Sequence, residues 1–384
     1  MIIEISKAGF QNKGAHLMLY AIIKEIKHRY PEAKITISPK HLVTKKPLQK
    51  ITKLGLYPKI YWWKFRIQWG KFDFLIPKFI LKKYRLIKDK EVDFVLDAAG
   101  FAYSDQSSIL NSLELSQSMI NWKKRKTKVF LLPQAFGPFK NRKNVVWTKK
   151  WLKDIELVFA RDPESYNHLA KLNVNQEKIK LFPDFTNLID GKLPKNFSTN
   201  EYKIALVPNY RMIDKLDIGS EYVDLMSKCI LYIKNLNLKP FILLHEDKRA
   251  EMLLAKQILS RSYEIPIINE TDPIKLKGII GNCDAIIGSR YHALVSALSQ
   301  GIPAIGTGWS HKYKHLFEEY DYPEGMISTK ISVNDLNEKL EKFFDKKNLT
   351  NMKEKLKKKS LHNKELTKKM WEIIFSKIDE SLKN

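Results

Sequence analysis

The sequence predicts an α/β protein made of two Rossmann-like domains, each a parallel sheet with helices on both faces, with a cleft between them. Three observations carry this expectation. The chain has 384 residues, beyond the ~100 to 200 residues usual for one domain. Short apolar runs alternate with amphipathic stretches, the pattern of strands joined by crossover helices. After a polar stretch, "GKLPKNFSTNEY", the alternation starts again, which places the boundary near 191–202 and the domains at 1–195 and 196–384. A hydrophobic content of 44% supplies a core for each.

In the first half "IIEIS" (2–6) reads as a strand, 13–30 as a helix, and "AKITIS", "VDFVLDAAG", "KVFLLPQ", "IELVFARD" and "IKLFPD" as further strands. The second half opens with "KIALVPN" (203–209), followed by a helix over 220–236, the strand "PFILLHED" and a helix over 247–260. "YEIPIIN", "CDAIIGS" and "IPAIGTG" give three more short strands. Two segments break the alternation. Residues 60–86 interleave Trp, Phe and Ile with Lys and Arg, which suits either an anionic membrane interface or an insertion packed on the first core. Residues 333–384 are Lys-rich with helical period, a solvated terminal helix pair.

Lys and Arg outnumber Asp and Glu by 68 to 42, a net charge of +26. Such a field attracts phosphorylated or carboxylated substrates, anionic membranes or nucleic acid, and a Lys-rich composition alone produces the same number. No RNP-like aromatic motif, zinc-finger spacing or isolated recognition helix is present, so nucleic acid is not an expected partner. The two cysteines, Cys229 and Cys283, are too few for a disulfide framework and fit a reducing compartment. The N-terminal "MIIEISKAGFQNKGA" lacks the pattern of a signal peptide, and no stretch of 18 apolar residues occurs. The expectation is a cytoplasmic protein, with 60–86 as the candidate contact to the inner face of the plasma membrane.

The chemistry-bearing residues fall at strand ends. In "AIIGSRYHALVSALSQGIPAI", Ser289 is a candidate N-cap, Ala293, Leu294, Ala297 and Leu298 share a helical face, and Gly301 stands where a helix-ending glycine belongs. Arg290 and His292 then lie in the first turn of a helix that follows a parallel strand, where backbone N–H groups and a guanidinium fork suit an anion. A capped helix with an incidental surface arginine is the plain alternative. Lys312, after the next strand, joins the same rim; His311 and His315 have the spacing of a metal pair but no third ligand, so no metal is expected. Asn12 and Lys13 open the first helix beside Gly9 and Gly14. Asp97, Tyr103, Asp105, Gln134, Gly137, Arg161, Asp162, His245 and Glu246 mark four further strand ends. Singly, each reads as a cap or turn residue; together they describe a lined cleft.

The order "GFQNKGA", "DAAGFAYSDQ", "PQAFGPF", "ARDPES", "LFPDFTN", "SRYHALVSALSQGIPAI" and "HKYKHLFEEY" resembles the polysaccharide pyruvyl transferase family over about residues 5–325. The resemblance implies a GT-B-like fold and transfer of the enolpyruvyl unit of phosphoenolpyruvate to a sugar of a cell-surface polysaccharide or its lipid-linked precursor. The products are a pyruvate ketal and phosphate, and no cofactor is needed. Arg290 and His292 fall on the family's Arg-x-His, and Arg161 on its R-D/E-x-x-S arginine. A donor with a carboxylate and a phosphate requires cations, here Arg290, Arg161 and Lys312, and a general acid for the methylene carbon, here His292. Asn12, Lys13, Asp97, Gln134 and His245 complete the expected substrate-binding set. A GT-B glycosyltransferase using a nucleotide sugar is the competing reading, because cations at strand ends serve a diphosphate equally well.

Overall fold

The computed structural model describes residues 1–10, 12–39, 47–60, 63–64, 67–68, 76–214, 219–246 and 249–383. Its contacts group into two units: unit 1 is Met1–Gln11, Ala15–Phe185 and Thr367–Asn384, and unit 2 is Asn12–Gly14 and Thr186–Leu366.

Unit 1 contains β1 (Ile2–Ser6), β2 (Lys34–Ile37), β3 (Tyr57–Pro58), β4 (Trp63–Lys64), β5 (Ile67–Gln68), β6 (Phe94–Asp97), β7 (Lys128–Gln134), β8 (Leu157–Ala160) and β9 (Ile179–Leu181). Seven of these form one parallel sheet in the order β3-β2-β1-β6-β7-β8-β9, while β4 and β5 pair antiparallel apart from it. Phe94–Asp97 and Leu157–Ala160 are buried at every position, as expected of strands covered on both faces.

Beneath this sheet lies a buried charge network. Lys59 Nζ donates to Glu4 and pairs with Asp89 at 2.7 Å, Arg125 Nη1 reaches the other Asp89 oxygen at 2.7 Å, and Trp122 Nε1 donates to Asp89 at 3.2 Å. Burial pushes the Glu4 carboxyl up, with Lys59 opposing it; burial also acts on Asp89, but Lys59, Arg125 and Trp122 outweigh it and hold Asp89 below the usual range. Removing one partner of such a network strands the others without water. Lys59→Ala should therefore lower the unfolding free energy by about 3 to 5 kcal/mol. Urea denaturation checks this, and a loss below about 1 kcal/mol, the scale of an exposed pair, would count against it.

Unit 2 contains β10 (Ile204–Val207), β11 (Pro240–Leu244), β12 (Ile267–Asn269), β13 (Ala285–Gly288) and β14 (Ala304–Gly306), a parallel sheet in the order β12-β11-β10-β13-β14. The strand order reverses between β10 and β13. The carboxyl ends of these two strands are thus the topological switch point of the sheet, where α/β proteins place ligands. Gly288 closes β13 with no room for a side chain, since a Cβ there would sit 2.8 Å from the Val207 carbonyl oxygen.

Two expectations meet a different structure here. The contact boundary falls between Phe185 and Thr186, ahead of 191–202, and the chain end from Thr367 groups with unit 1 rather than with the second domain. The physical reason is a buried stripe on the last helix, Lys346–Lys383: Trp371 packs edge-on against Phe185, Phe375 against Tyr30, and Asp379 accepts from the Tyr30 hydroxyl at 2.7 Å and pairs with Arg29. This part of the helix is docked as well as solvated. Part of the 60–86 expectation, at 61–62, 65–66 and 69–75, lies outside the described residues. Within it the helix Lys78–Lys83 buries none of its residues and leaves Phe79 70% exposed among Lys78, Lys82 and Lys83. No helix among the described residues is long and apolar enough to cross a membrane.

Candidate active site

The polar end of β13 organises unit 2. Ser289 does not cap the following helix, as the sequence suggested; its hydroxyl instead meets the Tyr222 hydroxyl, and its carbonyl accepts from Asn209 Nδ2 at 2.8 Å and Tyr313 Oη at 3.0 Å. Arg290 takes the N-cap position of the helix Tyr291–Leu298, contributing its backbone carbonyl to the first turn rather than a side-chain cap. With the residue before it pinned by three partners, Arg290 presents its guanidinium in a fixed direction. The helix ends as the sequence predicted, with Gly301 at φ +73° and a turn closed by Ile302 N–H to the Ala297 carbonyl and Gly301 N–H to that of Leu298.

The Arg290 fork is occupied by carboxylates. Nη1 donates to Glu246 Oε1 at 2.5 Å and Nη2 to Glu251 Oε1, and the residue is only 9% exposed. Burial raises the Glu251 carboxyl, with Arg290 opposing the shift. Beside this pair, buried His245 is held well below the usual imidazole range, first by burial and then by the positive fields of Arg290, His292 and Lys13. Lys13, itself buried, donates from Nζ to the Glu270 carbonyl at 2.8 Å. The His292 imidazole lies against Gly14, where an added Cβ would fall 2.2 Å from Nδ1. Unit 2 thus brings together Arg290, His292, His245 and Lys13. Asn12 is exposed beside them in sequence. Lys312 stands over three rings, 5.2 Å from Tyr291, 5.5 Å from Trp309 and 5.4 Å from Tyr313, a cation–π setting that fixes its ammonium.

The His245 shift has a definite sign in stability. A folded-state value depressed below 6.5 means that the unfolded chain binds a proton the folded chain refuses. The contribution is fully present above about pH 6.5 and is lost as pH falls toward the folded value, at a slope approaching about 1.4 kcal/mol per pH unit. His245→Asn should flatten the acid side of the stability profile by that amount. Denaturation of both proteins at pH 7.5 and 5.5 (about one unit on each side of 6.5) tests it, and parallel profiles would show that His245 is not the group responsible.

The expected ligands in unit 1 have partners within the chain. Asp97 and Gln134 end β6 and β7 but are buried: Asp97 accepts from Tyr103 Oη at 3.0 Å, Gln134 Nε2 at 3.3 Å and the Ala99 N–H at 3.3 Å. Burial raises the Asp97 carboxyl, with Lys7 opposing. Arg161, expected on the donor, is 4% exposed and its Nη1 pairs with Asp184 at 3.0 Å. The neighbouring Asp162 caps the helix Pro163–Ala170 by accepting from the Ser165 N–H at 2.7 Å and hydroxyl at 2.8 Å. In "ARDPES" the Asp and Ser thus build a helix start, and the Arg neutralises a buried carboxylate. His315 pairs with Glu318 at 2.7 Å, and among the described residues no three His, Cys, Asp or Glu are grouped to hold a metal. Both cysteines are buried thiols, pushed up to about 12, chiefly by burial.

Glu251, Tyr222, Asn209 and Tyr313 were not anticipated from sequence. Their places 24 to 80 residues from their partners across the sheet leave no local signal. Only Glu246, next to His245 at a strand end, carried one.

A family model of polysaccharide pyruvyl transferases matches residues 12–311, a span that includes Lys13, His245, Arg290 and His292. The chain belongs to the polysaccharide pyruvyl transferase family. It is therefore a transferase. No curated protein sequence matches it. Among solved structures it is similar to a putative UDP-N-acetylglucosamine 2-epimerase from Listeria monocytogenes, at TM-score 0.63 and 10% identity over 99% of this chain and 96% of that one. HepE from Anabaena, solved with UDP and glucose, gives TM-score 0.61 and 11% identity over 99% of both chains. The UDP-GlcNAc 2-epimerase from Neisseria meningitidis, bound to UDP-GlcNAc, gives 0.59 and 13% over 100% of both. At these identities the likeness establishes the GT-B-like α/β fold of this family member.

Proposed function

We propose that this pyruvyl transferase moves the enolpyruvyl group of phosphoenolpyruvate onto a sugar of a cell-surface polysaccharide or its lipid-linked precursor. The observation that carries the reading is the clustering of Arg290, Lys13, neutral His245 and His292 at the switch point of unit 2. Arg290 supplies a planar fork and Lys13 a point charge for a donor that carries both a carboxylate and a phosphate. His292 gives a proton to the methylene carbon, which turns C2 into an electrophile, and a sugar hydroxyl attacks there. The phosphate then leaves with the electron pair of its C–O bond, and a second hydroxyl of the sugar closes the ketal. Of the two hydroxyl protons released, one balances the new methyl group and the other leaves with phosphate. No step requires a redox partner.

A nucleotide-sugar donor is the second reading, favoured by the UDP ligands named for the structural neighbours. Purified protein incubated with phosphoenolpyruvate or UDP-sugars and a panel of surface-polymer sugars separates the two. Phosphate release and a ketal product from phosphoenolpyruvate alone support the first; turnover of UDP-sugars alone replaces it. The reading places the protein at the inner face of the plasma membrane, where lipid-linked precursors are built. The exposed Phe79 among three lysines suits an anionic interface. Binding to anionic vesicles that weakens with salt is expected; no binding at low ionic strength would remove this part.

A further inference from the structure

The fork that must hold the donor is already full. Both Nη atoms of Arg290 end on carboxylates of this chain, Glu246 and Glu251, and two carboxylates against one guanidinium leave the seat without net attraction for an anion. The two carboxylates are held differently. Glu251 belongs to the helix Arg249–Leu259, is almost wholly buried and also accepts the Tyr210 N–H at 3.1 Å. Glu246 lies on the connection that leaves β11, next to His245, whose depressed titration reports the positive field of Arg290, His292 and Lys13 at that point. Arg290 Nε is buried without a hydrogen-bond partner among the described residues, so the guanidinium keeps a further donor to offer.

We propose that Glu246 is a built-in occupant of the anion seat. Its carboxylate is exchanged for an acidic group of the incoming donor on Arg290 Nη1, while Glu251 keeps Nη2 and with it the orientation of the fork. The inference rests on the reading that Arg290 receives the donor. Before a donor arrives Glu246 fills the Nη1 position of a buried guanidinium, which would otherwise have no partner there, and it sets a threshold: a ligand must outcompete a tethered carboxylate. Chloride, singly charged and a weak hydrogen-bond acceptor, falls below that threshold, whereas phosphate and phosphoenolpyruvate, more highly charged and with oxygens that accept a charge-assisted hydrogen bond, exceed it. Glu246 acts on specificity, and Glu251 is a positioning residue.

Calorimetric titration of inorganic phosphate, phosphoenolpyruvate and UDP into the wild-type protein, Glu246→Gln, Glu251→Gln and Arg290→Ala tests this. Glu246→Gln keeps the shape and removes the competing charge, so phosphate and phosphoenolpyruvate should bind roughly 10-fold tighter, the equivalent of one charge-assisted hydrogen bond no longer displaced. Glu251→Gln should bind them roughly 10-fold more weakly with kcat retained at saturation, and Glu251→Asp should restore part of the loss. Unchanged or weakened phosphate binding in Glu246→Gln, with a native melting profile, overturns the proposal. So does phosphate binding that survives Arg290→Ala, or none in either wild type or Glu246→Gln. If Glu246→Gln tightens phosphate and UDP but neither protein turns over phosphoenolpyruvate, the exchange stands and the choice of donor falls.

Discussion

Replacing His292 by alanine is expected to lower kcat about 100- to 10,000-fold while leaving the affinity for phosphoenolpyruvate nearly unchanged. His292 is the second residue of the helix Tyr291–Leu298, and its ring is set by contact with Gly14 on one side and the Tyr291 ring at 5.5 Å on another. The anion-binding groups are other residues, so the loss should fall on the chemical step. The contact with Gly14 provides a second route to the same effect. Gly14→Ala would place a methyl group 2.2 Å from Nδ1 and turn the imidazole away without removing it. Both variants should lose deuterium incorporation from solvent at the pyruvyl methyl in single-turnover experiments. Unchanged turnover in His292→Ala would leave the histidine as a packing residue, and lost affinity with normal turnover at saturation would make it a ligand of the donor.

Arg290→Lys is expected to weaken donor binding by about 10- to 100-fold although it preserves the charge. One ammonium cannot span the positions that Nη1 and Nη2 occupy on Glu246 and Glu251, so the geometry is lost with the fork. Arg290→Ala is the less informative change for affinity, because it strands two buried carboxylates and should cost about 3 to 5 kcal/mol of stability as well. The lysine variant should fold nearly as well as the wild type. Titration with phosphoenolpyruvate and the KM for turnover report the loss, and a KM equal to that of the wild type would show that the fork does not hold the donor.

The opening of the site was legible because its determinants are local. "AIIGSRYHALVSALSQGI" carries an apolar strand, a helical face and a terminal glycine within 18 consecutive residues, and each appears where its spacing put it. Asp162 and Ser165 illustrate the opposite outcome. Three residues apart, they satisfy a helix start, and the arginine before them follows into a buried pair with Asp184, 23 residues on. Spacing that fits a substrate site also fits a cap, and the tertiary partners are what the spacing leaves open. The chain end shows the same limit: a Lys-rich helix was expected, but its Trp371, Ile374 and Ile378 stripe docks one turn after another on unit 1.

What the sequence determined by itself is the alternation of apolar runs and amphipathic helices, the two parallel sheets that follow from it, and the placing of Arg290 and His292 in the first turn after a central strand. These depend on hydrophobic period and turn chemistry, which act between neighbours in the chain. The tertiary structure alone decided the electrostatics: that Arg290 faces Glu246 and Glu251, that Lys13 and Gly14 stand beside His245 and His292, and that Arg161 spends its charge on Asp184. Charge pairing in a desolvated interior depends on distance in space and on the exclusion of water, and neither quantity is encoded in the separation of residues along the chain.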